Sequence, residues 1–174
     1  MIIHGDCFKI IPRLMDIDFI LTSPPYDNHI TYGGLSEWKL DYPKWINSFF
    51  DIAFMSLSKK GSMVFINQRK VESFIPKAKQ IIKLQKPFPE YAYVYGDVEY
   101  PDNLIQTISA KHKKHPCIFS DKTVRYFLDP LCRNSFVVDP FAGMGTVINV
   151  GYQMGFTQVL GIEKEKKFIT KDQI

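Results

Sequence analysis

The chain of 174 residues has only three cysteines, Cys7, Cys117 and Cys132. Their number is odd and no two stand in C-x-x-C spacing. That argues against a disulfide framework and a thiolate zinc site, and for a reducing cytoplasm. No metal is expected. Long apolar runs are missing as well, since no stretch approaches the roughly 18 residues of a membrane span. The opening Met1-Ile2-Ile3-His4-Gly5-Asp6 lacks the basic-then-apolar order of a signal peptide. A cytoplasmic protein with no membrane partner is therefore expected. There is no linker, internal repeat or low-complexity tract, so residues 1–174 read as one domain able to bury a single core. Strong charge is absent too: 22 basic against 18 acidic residues leave +4 and a pI near 8.8. Such a balance admits a polyanionic partner without requiring one.

What the chain does have is aromatic side chains, at 14% of residues. They can fill a core, or stack on a purine or on a base drawn out of a helix. Short apolar, β-rich runs at residues 18–22, 62–67, 135–139 and 158–162 read as buried strands. Residues 38–57 carry Trp45, Phe49, Ile52, Ala53 and Leu57 in helical spacing. Lys59-Lys60-Gly61 reads as that helix's C-terminal cap. Helices are also expected over 71–84, where Pro76 must lie near the first turn, over 121–132 after Ser120, and from Gly145 to about Met154, closed by Gly155. Residues 27–37, with Gly33-Gly34, read as a loop, and 87–103 as mixed strand and loop. Strands alternating with helices predict an α/β fold with a mostly parallel sheet covered on both faces.

Asp139-Pro140-Phe141-Ala142-Gly143-Met144-Gly145-Thr146 joins one of these strands to a helix. Glycines there allow close backbone approach to a ligand, and the helix N-terminus offers unpaired N–H groups. At the end of the next strand stands Glu163, 18 positions beyond Gly145, placed to accept both hydroxyls of a ribose. NAD would suit this acid equally. The third glycine of G-x-G-x-x-G is replaced by Ile148, however, with no evident relief of the packing there. A nucleoside cofactor without pyrophosphate is the alternative.

Thr22-Ser23-Pro24-Pro25-Tyr26 stands where a strand ends, the edge at which open α/β sheets bind ligands. An exocyclic amine on a base is a poor nucleophile because its lone pair is delocalised into the ring. Acceptors aimed at its two N–H groups draw the nitrogen towards tetrahedral geometry. Ser23 offers a hydroxyl and Pro24 a carbonyl, and neither proline carries a competing N–H. Fixed proline φ angles hold those acceptors still. Tyr26 can stack on the base and bond through its hydroxyl. The plain alternative is a Pro-Pro loop with a buried tyrosine.

Ser-Pro-Pro-Tyr at 23–26, followed by Asp-Pro-Phe-x-Gly-x-Gly-Thr at 139–146, resembles the beta class of DNA amino-methyltransferases, in which the catalytic motif precedes the cofactor loop. Gly5-Asp6 and the stretch Lys114-His115-Pro116 through Ser120 are similar to further elements of that class, so the likeness spans residues 5 to 163. The resemblance implies a Rossmann-like methyltransferase fold, S-adenosyl-L-methionine as donor and a flipped base in double-stranded DNA as acceptor. Ser23, Pro24, Pro25 and Tyr26 would be catalytic. The cofactor would lie on Asp6 near its adenine, Glu163 at its ribose, Asp139, Phe141 and Gly143 at its methionine end, with Gly145, Thr146, Lys114, His115 and Ser120 around it. Tyr32, Lys111 and Lys113 would contact nucleic acid. Serine at the first catalytic position is similar to cytosine-N4 members, often found in restriction-modification systems; N6-adenine is the alternative.

The expected division is a catalytic half at about 1–85, a short variable or recognition region at about 86–110 and a cofactor half at about 111–174. Recognition would use the tyrosine-rich 91–100 stretch with the run Lys111-His112-Lys113-Lys114-His115, or come from a homodimer or a separate specificity subunit. The last helix after Glu163 is expected to be stunted. RNA and protein-glutamine methyltransferases share a Pro-Pro-Tyr loop, but generally with the cofactor loop first. A catalytically silent DNA-binding specificity subunit and an NAD-dependent oxidoreductase complete the alternatives.

Overall fold

A computed structural model describes residues 1–26, 41–86, 89–107, 110–112 and 115–170; the side chains of 69, 70, 110–112 and 115–118 are outside that description. One eight-stranded sheet organises the chain. Its strands are β1 (Ile2–His4), β2 (Ile17–Thr22), β3 (Leu57–Asn67), β4 (Gln80–Gln85), β5 (Glu90–Tyr95), β6 (Leu104–Gln106), β9 (Phe136–Asp139) and β10 (Gln158–Glu163). A separate antiparallel hairpin pairs β7 (Ala110–His112) with β8 (His115–Ile118). In space the large sheet runs β1-β10-β9-β2-β3-β5-β4-β6. The first five strands of that order are mutually parallel, and β5 is antiparallel to both β3 and β4. The carboxyl ends of β1, β10, β9, β2 and β3 therefore line one edge.

Both faces are covered, as the alternating pattern predicts. On one lie α3 (Asp121–Leu128) and α4 (Thr146–Gln153), which place Val124, Phe127, Val147 and Ile148 against Phe19, Leu21, Val64 and Val137. On the other lie α1 (Cys7–Ile10) and α2 (Tyr42–Ser56), burying Ile46, Phe49, Phe50 and Ala53 against Ile20, Phe65 and Val138. Helix α2 starts where the Asp41 carboxylate accepts the Lys44 N–H at 3.0 Å and a proline stands in the first turn. It carries apolar residues at helical spacing on its buried side.

Three expectations need correction. Lys59-Lys60-Gly61 is no helix cap: β3 begins at Leu57 and runs through it. Gly61 is needed for another reason, since a Cβ there would stand 2.7 Å from the Ile17 carbonyl oxygen, beside the register shift between β2 and β3. Residues 71–84 form no helix but a 3-10 turn (Arg69–Ser73) and then β4. Pro76 offers no N–H to a helical ladder, and pairing with β5 decides the rest. The tyrosine-rich 91–100 stretch is not an open recognition surface either, because β5 lies inside the sheet with Tyr93 and Tyr95 buried, and Tyr100 is buried in the opposite core. The strand β1 went unread in the sequence. The loop expected at 27–37 lies outside the described residues.

Candidate active site

At the shared edge, successive strand ends present a row of polar residues: Asp6 just beyond β1, Glu163 closing β10, Asp139 closing β9, Thr22 and Ser23 at β2, and Asn67 closing β3. Asp139 is 2% exposed. Its Oδ1 accepts from the Thr22 hydroxyl at 3.0 Å and from the Phe141 N–H at 3.1 Å. Burial pushes this carboxyl up to about 7, against the lowering effect of those two hydrogen bonds, with Glu163 adding repulsion. Glu163 is raised for the same principal reason. Its Oε2 accepts from Gly143 N and its Oε1 from Glu165 N, both at 2.7 Å.

The glycine turn between β9 and α4 has the conformation its composition requires. Gly143 (φ 52°) and Gly145 (φ 78°) both lie in the left-handed region. Ala142 N donates to the Ile162 carbonyl at 2.9 Å, anchoring the turn on β10. Thr146 opens α4. Phe141 was expected at the methionine end of a cofactor, yet its ring packs into an aromatic cluster, 5.7 Å from Trp45 and 5.2 Å from Phe49 between centroids. It bolts the turn onto α2. The packing at Ile148, for which the sequence shows no relief, is relieved from the strand side. A Cβ on Gly161 would stand 2.7 Å from Ile148 Cδ1 and 2.8 Å from Ala142 Cβ. The bare backbone of β10 thus takes the place of a third glycine on the helix.

In the Ser-Pro-Pro-Tyr loop, Ser23 Oγ donates to the Tyr26 hydroxyl at 3.0 Å. With its hydrogen so engaged, the serine oxygen presents lone pairs to an incoming donor. Tyr26 is only 4% exposed, so its ring is packed and not laid open for stacking; its hydroxyl instead orients Ser23. The Pro25 carbonyl accepts from the Tyr42 hydroxyl at 3.0 Å, and that hydroxyl accepts from Asn67 Nδ2 at 2.9 Å.

Asp6 caps α1, accepting from Phe8 N at 3.1 Å, and its other oxygen lies 3.5 Å from Lys164 Nζ. Ser120 caps α3 through Thr123 N. Lys113, Lys114 and Tyr32 lie outside the described residues, and Lys111 and His115 fall in the hairpin without described side chains. The site residues that sequence reasoning missed are Thr22, Tyr42, Asn67 and Gly161. Asn67 had a signal: a polar residue closing an apolar strand at the ligand edge. Tyr42, in the first turn of a helix, had none. Among the described residues no group of three or more His, Cys, Asp or Glu could hold a metal, and no helix is long and apolar enough to cross a membrane.

No protein-family model matches the chain and no curated protein does. Solved structures do. PvuII DNA methyltransferase (cytosine-N4-specific) superposes with a TM-score of 0.76 at 16% identity, covering 98% of this chain and 86% of that one. The M1.HpyAVI–SAM complex gives 0.70 at 20% identity, with 97% and 94% covered. TTHA0409 from Thermus thermophilus, complexed with S-adenosyl-L-methionine, gives 0.72 at 16%, with 96% and 88% covered. The chain has the Rossmann-like fold of S-adenosyl-L-methionine-dependent methyltransferases.

Proposed function

We propose that this protein methylates an exocyclic amino group of a base in double-stranded DNA, N4 of cytosine, with S-adenosyl-L-methionine as donor. The observation that carries the reading is the 3.0 Å hydrogen bond from Thr22 to Asp139, which joins the end of the catalytic strand to the end of the cofactor strand. Both loops then serve one place on the sheet edge. The fold shared with PvuII DNA methyltransferase and with two structures solved with the cofactor supports it.

The residues present suit that cofactor. A carboxylate has about four lone-pair sites, and the two backbone N–H groups on Glu163 occupy one on each oxygen, leaving acceptors for a ribose diol. Asp6 would face the adenine, and Asp139 offers charge to a cationic methionine end. Gly143 and Gly145 let backbone approach the ligand. When bound, S-adenosyl-L-methionine supplies an electrophilic methyl group on a sulfonium. Ser23 Oγ and the Pro24 carbonyl accept the two N–H bonds of the target amine, localising its lone pair. The base must be flipped from the duplex to reach them.

The test is transfer from labelled S-adenosyl-L-methionine to duplex DNA, followed by digestion to nucleosides. Label is expected on N4-methylcytosine; label on N6-methyladenine would move the assignment to adenine. Cofactor binding without transfer would instead make the chain a silent specificity subunit. Ser23→Ala should lower kcat about a hundredfold or more while cofactor affinity, read by calorimetry, stays within about twofold.

A further inference from the structure

The two prolines of the catalytic loop leave it a single open degree of freedom. Each proline ring fixes its own φ, and each proline confines ψ of the residue before it to the extended region. Ser23 and Pro24 both precede a proline. From the ψ of Ser23 to the nitrogen of Tyr26, sterics therefore leave only ψ of Pro25 undecided. That torsion is reported by the direction of the Pro25 carbonyl, which accepts from Tyr42 Oη at 3.0 Å.

The polarity of this contact is dictated from β3. Gln68 N donates to Asn67 Oδ1 at 2.8 Å, which turns the amide so that Nδ2 donates to Tyr42 Oη at 2.9 Å. A phenol has one hydrogen. With a donor on its oxygen, that hydrogen goes to Pro25. Asn67 is fully buried and Tyr42 is 3% exposed, so neither polar group is placed there for water. Beyond Pro25, Tyr26 receives the Ser23 hydroxyl at 3.0 Å.

We infer that Asn67 and Tyr42 are positioning residues that set the Pro25 torsion and, through Tyr26, aim the Ser23 lone pairs at the target amine. The inference rests on the methyltransferase reading. The relay runs from a backbone N–H at the end of β3 to the reacting nitrogen, and neither of its two members needs to touch substrate.

The experiment compares wild type, Tyr42→Phe, Asn67→Ala, the double variant and a control, Tyr100→Phe. Tyr100 also gives a buried hydroxyl to a backbone carbonyl, Phe127 O at 2.8 Å, but in the core on the opposite face. Methyl transfer under cofactor and DNA saturation gives kcat, and calorimetry gives cofactor affinity. The expected result is a kcat loss between about tenfold and a hundredfold for Tyr42→Phe, with cofactor Kd within about twofold. Asn67→Ala should lose less, and the double variant should be no slower than Tyr42→Phe, because one relay is broken once. Tyr100→Phe should keep the wild-type kcat. A Tyr42→Phe kcat equal to that of Tyr100→Phe overturns the inference, as do additive losses or a parallel loss of cofactor affinity. If Tyr42→Phe fails to fold, Asn67→Ala alone decides by the same split. Wild type without transfer overturns the methyltransferase reading together with the relay; wild type that transfers beside an unaffected Tyr42→Phe overturns the relay alone.

Discussion

Asp139 is almost out of water, with one hydroxyl and one backbone N–H against its carboxylate. Its raised pKa of about 7 has a definite sign. In the unfolded chain this acid gives up its proton near the usual carboxylate value, so between there and about 7 the folded protein binds more protons. The contribution of this acid to stability is then full below the usual carboxylate value and is lost as pH rises through about 7. Glu163, shifted the same way by burial, adds to that slope. A cationic ligand reverses the preference by favouring the ionised acid. In the methyltransferase reading, cofactor affinity should therefore rise between about pH 6 and about pH 8. Calorimetry in buffers of different ionisation enthalpy should detect a proton released on binding. Asp139→Asn should bind more weakly, release less of a proton than wild type, and show a melting temperature less sensitive to pH over that interval. A wild-type affinity flat across those pH values would remove Asp139 from the cofactor's methionine end.

Between elements, the decisive contact is α4 on β10. Its lesson is that a missing motif residue can be supplied by the partner surface. Gly161→Ala keeps an ordinary backbone conformation but drives a methyl group into Ile148 and Ala142. We expect a loss of about 1–3 kcal/mol of stability and weaker cofactor binding, since Ala142 belongs to the glycine turn. Adding Ile148→Val removes Cδ1 and should recover part of both, measured by denaturant unfolding and calorimetry. Unchanged stability in Gly161→Ala would show that the helix has room to move away. The same element pair shows what sequence reading reaches. Runs such as Phe136–Asp139 and Gln158–Glu163 were legible because parallel strands buried on both faces are apolar throughout. The Gly143–Gly145 turn was legible because positive φ demands glycine. The helix expected over 71–84 misled because the choice between helix and strand there is made by β5, across the sheet. Gly61 misled in the same way: its need for bare backbone comes from β2, some forty residues earlier. Tyr42 and Asn67 were missed because a relay is a property of three elements together.

At the scale of the molecule, the expected halves interleave. β1 lies outside β10, beyond the cofactor strands, while β9 pairs with β2; neither half closes its own part of the sheet. Much of the tyrosine-rich 91–100 stretch is packed into the core as well, which in the proposed role shifts DNA binding towards other segments. Among the described residues one such element is the β7–β8 hairpin, and the run Lys111-His112-Lys113-Lys114-His115, of which Lys113 and Lys114 lie outside the described residues, is the densest basic run in the sequence. In the proposed role, log Kd for duplex DNA should vary linearly with log salt, each phosphate contact contributing a slope of about 0.9. Lys111→Ala with Lys113→Ala should lower that slope by about two. The ratio of affinities for methylatable over unrelated duplexes should hold, because phosphate contacts position the protein and base contacts specify the site. Cofactor affinity should hold too. If the slope were unchanged in the double variant, the hairpin would not be the phosphate-binding element. A slope that falls together with the ratio would make these lysines readers of sequence, and the short chain would then carry part of its own recognition on this hairpin.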